Sequence, residues 1–395
     1  MPTQSIRVPL ICSLCLGMLA GQTTPQMSAG EQKNLAANIR RHFGDAPPHP
    51  GPKARLSGAL QPAAVLRAES LVARWELKRA QPYWGRNWTW GVLYTGFMAA
   101  ARVLPHAGYR RAMAAMARQF QWRLRARVPI ADDQTLGQTY LELYLQHPAA
   151  YKIAATRAAM DRLLAGATAP IPKIQAQIPW WWCDALFMAP PAWTRMYAAT
   201  HQRKYLRYMD QHWRQTYHRL YDRQRHLYYR DVTWLHKTGP HGEPIFWSRG
   251  NGWVLAGLAR TLAYLPRSDA ARGFYQRQMR QMAAALAKLQ GRRSGLWHSN
   301  LLDARDYPQP ETSGSALITF ALAWGVRHGV LNRARYLPVI ARAWRGLTQQ
   351  IYASGRLGNI QPTGAGPAHY PPAASFNYGV GAFLLAGAQI SRLRP

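Results

Sequence analysis

Trp180-Trp181-Trp182-Cys183-Asp184-Ala185-Leu186-Phe187-Met188-Ala189-Pro190-Pro191 sets one carboxylate after three tryptophans and ahead of an apolar, helix-like run. A helix that is apolar around most of its circumference is buried. Five other stretches share this build, a polar or aromatic opening followed by small and apolar residues. They are Trp88-Thr89-Trp90-Gly91-Val92-Leu93, Asp132-Asp133-Gln134-Thr135-Leu136-Gly137, Arg249-Gly250-Asn251-Gly252-Trp253-Val254, Glu311-Thr312-Ser313-Gly314-Ser315-Ala316 and Asn377-Tyr378-Gly379-Val380-Gly381-Ala382. The stretches return roughly every 45 to 70 residues, six in all, the scale of a helical hairpin.

The segments between them have another pattern. Over 109–125, Met113, Met116, Phe120 and Leu124 recur at helical spacing among arginines, the mark of an amphipathic helix. Segments 62–78, 149–164, 205–221, 270–289 and 336–352 read the same way. Six amphipathic outer helices alternating with six buried inner ones predict an all-α fold, a closed (α/α)6 toroid of six hairpins. An irregular all-α domain is the competing arrangement. One stretch departs from helix. Residues 227–234 alternate weakly, Gly239-Pro240-His241-Gly242 forms a turn signal, and 244–249 follows. This predicts a short β-hairpin at the mouth of the toroid.

In such a toroid the inner helices run the same way, so their first residues meet at one mouth. Trp88, Trp90, Asp132, Asp133, Asp184 and Arg249 are thereby expected around one pocket, with Asn251, Glu311, Thr312 and Asn377 beside them. Helix N-termini present free N–H groups and partial positive charge, which suits an anionic ligand. A carboxyl among tryptophans is desolvated, which raises its pKa toward the range useful for proton donation. The structural alternative for Asp184 and Asp133 is helix capping, a role Asp often takes.

Composition narrows the setting. The 395 residues carry 50 Lys and Arg against 17 Asp and Glu, a formal net charge of +33, which favours anionic partners. The basic residues are spread along the chain rather than gathered in an arm, so nucleic acid is not the expected partner. Residues 1–20 read as an export signal, with Arg7 ahead of an apolar core over 8–20. That predicts a periplasmic or extracellular protein. Residues 21–58 read as a flexible lead-in and 59–395 as the catalytic domain, without an integral membrane segment. Cys12 and Cys15 lie in the signal, which leaves Cys183 as the one thiol. A disulfide within the mature chain and a cysteine metal site are excluded by that count. His236 and His241 lack helical metal spacing, and no metal or cofactor is expected. Gly379-Val380-Gly381 follows no strand and is not a nucleotide-binding signature.

Trp182-Cys183-Asp184-Ala185-Leu186-Phe187-Met188-Ala189-Pro190-Pro191, Phe246-Trp247-Ser248-Arg249-Gly250-Asn251-Gly252-Trp253 and Glu311-Thr312-Ser313-Gly314-Ser315 resemble glycoside hydrolase family 105. That family holds unsaturated rhamnogalacturonyl and related glucuronyl hydrolases, and the resemblance runs from about residue 88 to 385. It implies a six-hairpin toroid acting on oligosaccharides that a polysaccharide lyase has left with a terminal 4,5-unsaturated uronic acid, as in pectin degradation. It also implies hydration of the C4=C5 bond. A carboxylic acid protonates C4, water adds at C5, and the hemiketal collapses to release the rest of the sugar. The carboxylate-spacing rule for ordinary glycosidases therefore does not apply.

The resemblance assigns Asp184 as general acid/base and Asp132, five residues ahead of Gly137, as a second catalytic carboxylate. Arg249 would meet the substrate carboxylate or a hydroxyl, with a structural ion pair as the alternative. Trp247, Trp181, Trp182, Trp253 and Trp90 are expected around the sugar, together with Thr312 and Ser313. For Trp253 and Trp90 a core position is the alternative, as it is for Trp88. One position departs from the family pattern, since Arg230 stands where some members carry a histidine. Rival activities are a uronate polysaccharide lyase, an ordinary glycosidase and a non-catalytic binder of polyanions or carbohydrate.

Overall fold

Fifteen α-helices run through the residues described by the computed structural model, 27–125, 127, 129–166 and 178–393. They are α1 (Ala29–His42), α2 (Pro62–Ala80), α3 (Trp88–Ala100), α4 (Tyr109–Gln119), α5 (Ala131–Gln134), α6 (Leu136–Gln146), α7 (Tyr151–Leu164) and α8 (Ala185–Met188). The second half holds α9 (Pro190–Thr200), α10 (Lys204–Leu220), α11 (Ser248–Leu262), α12 (Arg272–Lys288), α13 (Thr312–Arg327), α14 (Arg333–Thr348) and α15 (Asn377–Ile390). Four two-residue strands, β1 (Gly44–Asp45), β2 (Tyr221–Asp222), β3 (Leu227–Tyr228) and β4 (Ser375–Phe376), form two antiparallel ribbons. β1 pairs with β4, and β2 with β3.

The packing closes a ring. α3 packs on α6, α6 on α9, α8 and α9 on α11, α11 on α13, α13 on α15, and α15 returns to α3. Outside it, α2 covers α15, α4 covers α3, α7 covers α6, α10 covers α9, α12 covers α11 and α14 covers α13. This is the six-hairpin toroid that the alternating pattern predicts. The division follows from sequence. α10 buries Tyr205, Leu206, Met209, Trp213, Thr216 and Leu220 at three- and four-residue spacing and leaves arginines outside. α13 buries every residue from Thr312 to Val326. Each buried large aliphatic or aromatic side chain contributes roughly 1.5–3 kcal/mol, so the inner ring is the stable frame on which the mouth is built.

Inner helices come close only where side chains are small. A Cβ on Gly96 of α3 would lie 2.6 Å from the backbone of Gly381 in α15. That contact explains Gly379-Val380-Gly381 as a packing motif. Overpacking a site of this kind costs about 1–3 kcal/mol. The third inner segment is broken. Pro190 and Pro191 lack the N–H groups that would bond Leu186 O and Phe187 O, so α8 stops and α9 restarts. Gln138 Nε2 donates instead to Phe187 O at 2.7 Å and Met188 O at 3.2 Å. Arg260 Nε in turn donates to Gln138 Oε1 at 2.7 Å.

Three expectations are adjusted. α4 ends at Gln119 rather than running to 125, because Gln121 and Trp122 take left-handed φ values of 52° and 57°. The strand at 227–228 pairs back onto Tyr221–Asp222, while the Gly239–Gly242 turn is closed by a single bridge between Thr238 and Pro244. Within the segment read as a flexible lead-in, α1 forms with a complete capping box between Ser28 and Glu31. The expected signal over 1–20 lies outside the described residues. Among the described residues no helix is long and apolar enough to cross a membrane.

Candidate active site

A cavity of about 170 Å³ opens where the inner helices begin, and both Asp132 and Asp184 line it. Asp184 occupies the residue before α8, yet its side chain accepts no capping hydrogen bond. The capping account of Asp184 therefore fails, and the carboxylate is left for the cavity. Its one side-chain partner is the Cys183 thiol, which donates to Oδ2 at 3.3 Å. The contrast with neighbouring helices is plain. Asn87 caps α3, and Glu311 caps α13 by accepting from Ser313 N and Gly314 N. Asp133 is fully buried and held by Arg127 Nε and Nη2, each at 3.2 Å. It belongs to the frame.

Burial pushes the Asp184 carboxyl above the usual range, and the nearby Arg230 and Arg249 charges pull it partly back. Asp132 is pushed up to about 7, by burial first and then by the like charges of Asp184 and Asp133. The charge of Asp184 thus favours the neutral form of Asp132. Such a pair can hand a proton to a substrate and take one from water.

Two arginines balance the pair. Arg230, at the position of the departure from the family pattern, lines the cavity, contacts Asp231 and lies 5.2 Å over the Trp181 ring. Arg249 is fully buried. Its Nη1 and Nη2 donate to Gln361 O at 2.7 Å and Pro362 O at 2.8 Å, and its guanidinium sits 4.4 Å over Trp247. No carboxylate pairs with Arg249 among the described residues, so the ion-pair alternative fails. Arg249 clamps the 361–362 loop and leaves its charge to the cavity, where an anionic ligand would meet it.

The tryptophans divide. Trp182 and Trp247 line the cavity, and so does Trp88. Trp247 is fixed by its indole N–H to Gln361 Oε1 at 3.0 Å. Trp181 stands behind Trp182, with ring centres 4.5 Å apart, and supports Arg230 from outside the cavity wall. Trp253 has no exposure and meets Trp88 edge-on at 6.0 Å, so it backs the wall rather than facing a sugar. Trp90 packs against Phe43 at 4.6 Å and Trp84 at 6.0 Å, away from the cavity. Thr312 and Ser313 are buried in the first turn of α13, where Ser313 Oγ donates to Glu311 Oε1 at 2.6 Å. Asn251 likewise holds the β3 backbone through Tyr228 N and O.

Other cavity residues carry no advance signal in the motifs. His42 arrives from the end of α1, and Thr363 and Gly364 arrive from the loop before β4. Larger hollows of about 670 and 800 Å³ lie at the opposite end of the ring, lined by Arg102 and Arg392 and by Arg267 and Arg327. Neither holds a carboxylate pair, so chemistry rather than volume selects the smaller cavity. His241, Glu243 and Asp303 bring donor atoms within 4.8 Å of one another. They lie outside the cavity, and Asp303 is engaged by His241 Nδ1 at 3.0 Å and by the backbone of Arg305 and Asp306.

The sequence matches the model of Glycosyl Hydrolase Family 88 over residues 67–394. It is 35% identical over 329 residues to an unsaturated 3S-rhamnoglycuronyl hydrolase of Formosa agariphila, covering 78% of this chain and 85% of that protein. A family 88 glycosyl hydrolase from Bacteroides vulgatus has a solved structure that is 30% identical, with a TM-score of 0.78 over 84% of this chain and 99% of that one. A solved structure titled a polysaccharide lyase is 32% identical, with a TM-score of 0.77 over 84% of this chain and 97% of that one.

Proposed function

The chain belongs to glycosyl hydrolase family 88, and from that premise we propose that it releases a terminal 4,5-unsaturated uronic acid from lyase-generated oligosaccharides. The observation that carries this reading is the pair of carboxyls with raised pKa values, Asp132 and Asp184, in a cavity that Arg230 and Arg249 also line. A cavity of about 170 Å³ lies below the roughly 300–1,000 Å³ typical of larger ligand sites, which supports entry of one terminal sugar. An unsaturated uronate brings the anion that Arg230 and Arg249 favour.

In this mechanism Asp184, whose carboxyl burial raises above the usual range, donates its proton to C4 of the enol ether. Positive charge develops at C5. Water adds there and loses its proton to the carboxylate pair, with Asp132 taking or positioning it. The C5 hemiketal then opens and expels the remaining sugar. No covalent bond to the enzyme and no metal step is part of the sequence. Trp182, Trp247 and Trp88 exclude bulk water and so strengthen the charge effects inside. The relative from Formosa agariphila favours rhamnoglycuronyl fragments over the pectin-derived fragments that the sequence resemblance suggests. Export, read from 1–20, would place the enzyme where polysaccharide lyases release such fragments.

The test is the ultraviolet absorbance of the conjugated enol carboxylate. Absorbance of unsaturated rhamnoglycuronyl oligosaccharides falls with wild type and holds with Asp184→Asn. The related structure titled a polysaccharide lyase motivates a second arm with intact polyuronate. A rise in absorbance there, with none of the oligosaccharides consumed, would replace the hydrolase by a lyase.

A further inference from the structure

We propose that His42 is a substrate-binding residue, carried into the cavity by an N-terminal segment outside the family-matched region, and that it hydrogen-bonds a ring hydroxyl of the terminal uronate. The inference rests on the uronate reading above.

The family match begins at residue 67, yet 27–58 is stitched to the far end of the chain. Asn38 accepts from Thr363 N at 3.0 Å and contacts the Thr363 hydroxyl. Glu31 accepts from His369 N at 2.9 Å. Asp45 pairs with Arg356, and β1 runs antiparallel to β4. The fit at β1 is tight, since a Cβ on Gly44 would lie 2.2 Å from the Phe376 ring. Phe43 takes a left-handed cap with φ 52° and seats between Trp90 and Arg79. With α1 tied before it and β1 tied after it, His42 has little freedom to leave.

His42 lines the same cavity as Asp132 and Asp184, with its ring 6.3 Å from that of Trp88. Its Nδ1 is buried and has no hydrogen-bond partner within the protein. Among the described residues no hydrogen bond commits the imidazole to the protein, so the part of the ring that lines the cavity is open to a ligand. Burial, aided by Arg41, also lowers the imidazole to about 4. A neutral imidazole offers one donor and one acceptor, which suits a hydroxyl. The carboxylate of the sugar is left to the arginines. An unsaturated uronate keeps ring hydroxyls at C2 and C3, and one of those two is the proposed partner.

Steady-state kinetics on the unsaturated oligosaccharide separate this role from scaffolding. His42→Ala is expected to raise KM about 3- to 10-fold, the fold-change of one net hydrogen bond, with kcat within twofold and Tm unchanged. His42→Gln, which restores a donor and an acceptor, should recover much of the loss. An unchanged KM in His42→Ala overturns the proposal. So does an equal loss in both variants accompanied by a lowered Tm, which marks a structural role. Calorimetric binding of the unsaturated disaccharide to Asp184→Asn, with and without His42→Ala, keeps the question separate from turnover. Equal Kd values sink the His42 role whether or not the wild type hydrolyses, whereas failure of all turnover sinks only the hydrolase reading.

Discussion

The two ends of the inner ring bury carboxylates to opposite effect. At the end opposite the mouth, Glu142 of α6 is 4% exposed and lies 2.6 Å from Arg102 and 3.6 Å from Arg195. Burial alone would raise its carboxyl, but Arg102, Arg195 and Arg260 together hold it below the usual value. At the mouth, Asp132 and Asp184 are raised instead. The nearby cations there have other commitments, Arg230 to Asp231 and Arg249 to two backbone carbonyls. Glu142 lies ten residues along the chain from Asp132, on α6 just after α5, and is the more buried of the two. What separates them is whether a guanidinium is free to close on the carboxylate. A partly buried acid without an ion-pair partner at one end suits the proposed proton donor, and the paired buried acid at the other end braces the frame.

Substitution at the mouth gives the largest expected effect. Asp184→Asn should lower kcat about 10²- to 10⁴-fold, the range for losing a general acid, while thermal unfolding stays unchanged or shifts upward. Retention of more than a tenth of wild-type kcat would return the proton to another group and dissolve the contrast.

The end opposite the mouth should respond the other way. Glu142→Gln leaves Arg102, Arg195 and Arg260 facing one another without their shared anion. Removing one partner of a buried pair costs about 3–5 kcal/mol, so a pronounced drop in denaturation midpoint is expected. Activity per folded molecule should stay within about threefold, since among the described residues Glu142 reaches the mouth only through the Arg260–Gln138–Met188 hydrogen bonds. A loss of kcat without a loss of stability would mean that the two ends are coupled.

Stability against pH sharpens the same point. Asp132 has a folded pKa of about 7 against 3.8 for the free group, so the native state binds more protons than the unfolded one across that window. Its favourable contribution is full below about pH 4 and is lost as pH rises through 7. At one unit per 1.36 kcal/mol this amounts to a few kcal/mol at most. Asp132→Asn removes the dependence. The variant should therefore unfold at a higher temperature than wild type at pH 8, and the gap should close toward pH 4. Glu142, with a lowered folded pKa, contributes stability above its unfolded pKa that is lost as pH falls. A wild-type stability advantage over Asp132→Asn at pH 8 would contradict the unpaired state of the acid.

Much of this was legible in the chain because the ring is written in composition. Six stretches without outward-facing charge can be covered only from all sides, and six amphipathic segments supply the cover. The two carboxylates were legible by position, each just ahead of an inner helix. Assigning tryptophans was harder for a geometric reason. Residues two apart on a helix point about 200° apart, so Trp88 and Trp90 cannot both face the mouth. Trp88 does so. Trp253 lies one turn below Arg249, already inside the wall. His42 had no local signal at all. Its place depends on contacts made about 310 to 340 residues away, at Arg356, Thr363 and His369, and the short helix that carries it reads as polar.

The tryptophan pair offers the smallest test of mouth against frame. Trp88 faces the cavity and Trp253 meets it edge-on from behind, at 6.0 Å and 88°. Trp88→Phe shrinks the face offered to a sugar ring, and about 0.5–1.5 kcal/mol of contact beyond area is at stake in such stacking. KM should rise roughly 2- to 10-fold, with unfolding nearly unchanged because Trp88 is only partly buried. Trp253→Phe removes atoms from a fully buried site. Its loss should appear as a lower denaturation midpoint, on the order of 1–3 kcal/mol, with KM within twofold. If both variants shift KM equally, the wall is soft enough that the residue behind it shapes the cavity. The boundary between mouth and frame would then lie one layer deeper than the contact geometry puts it.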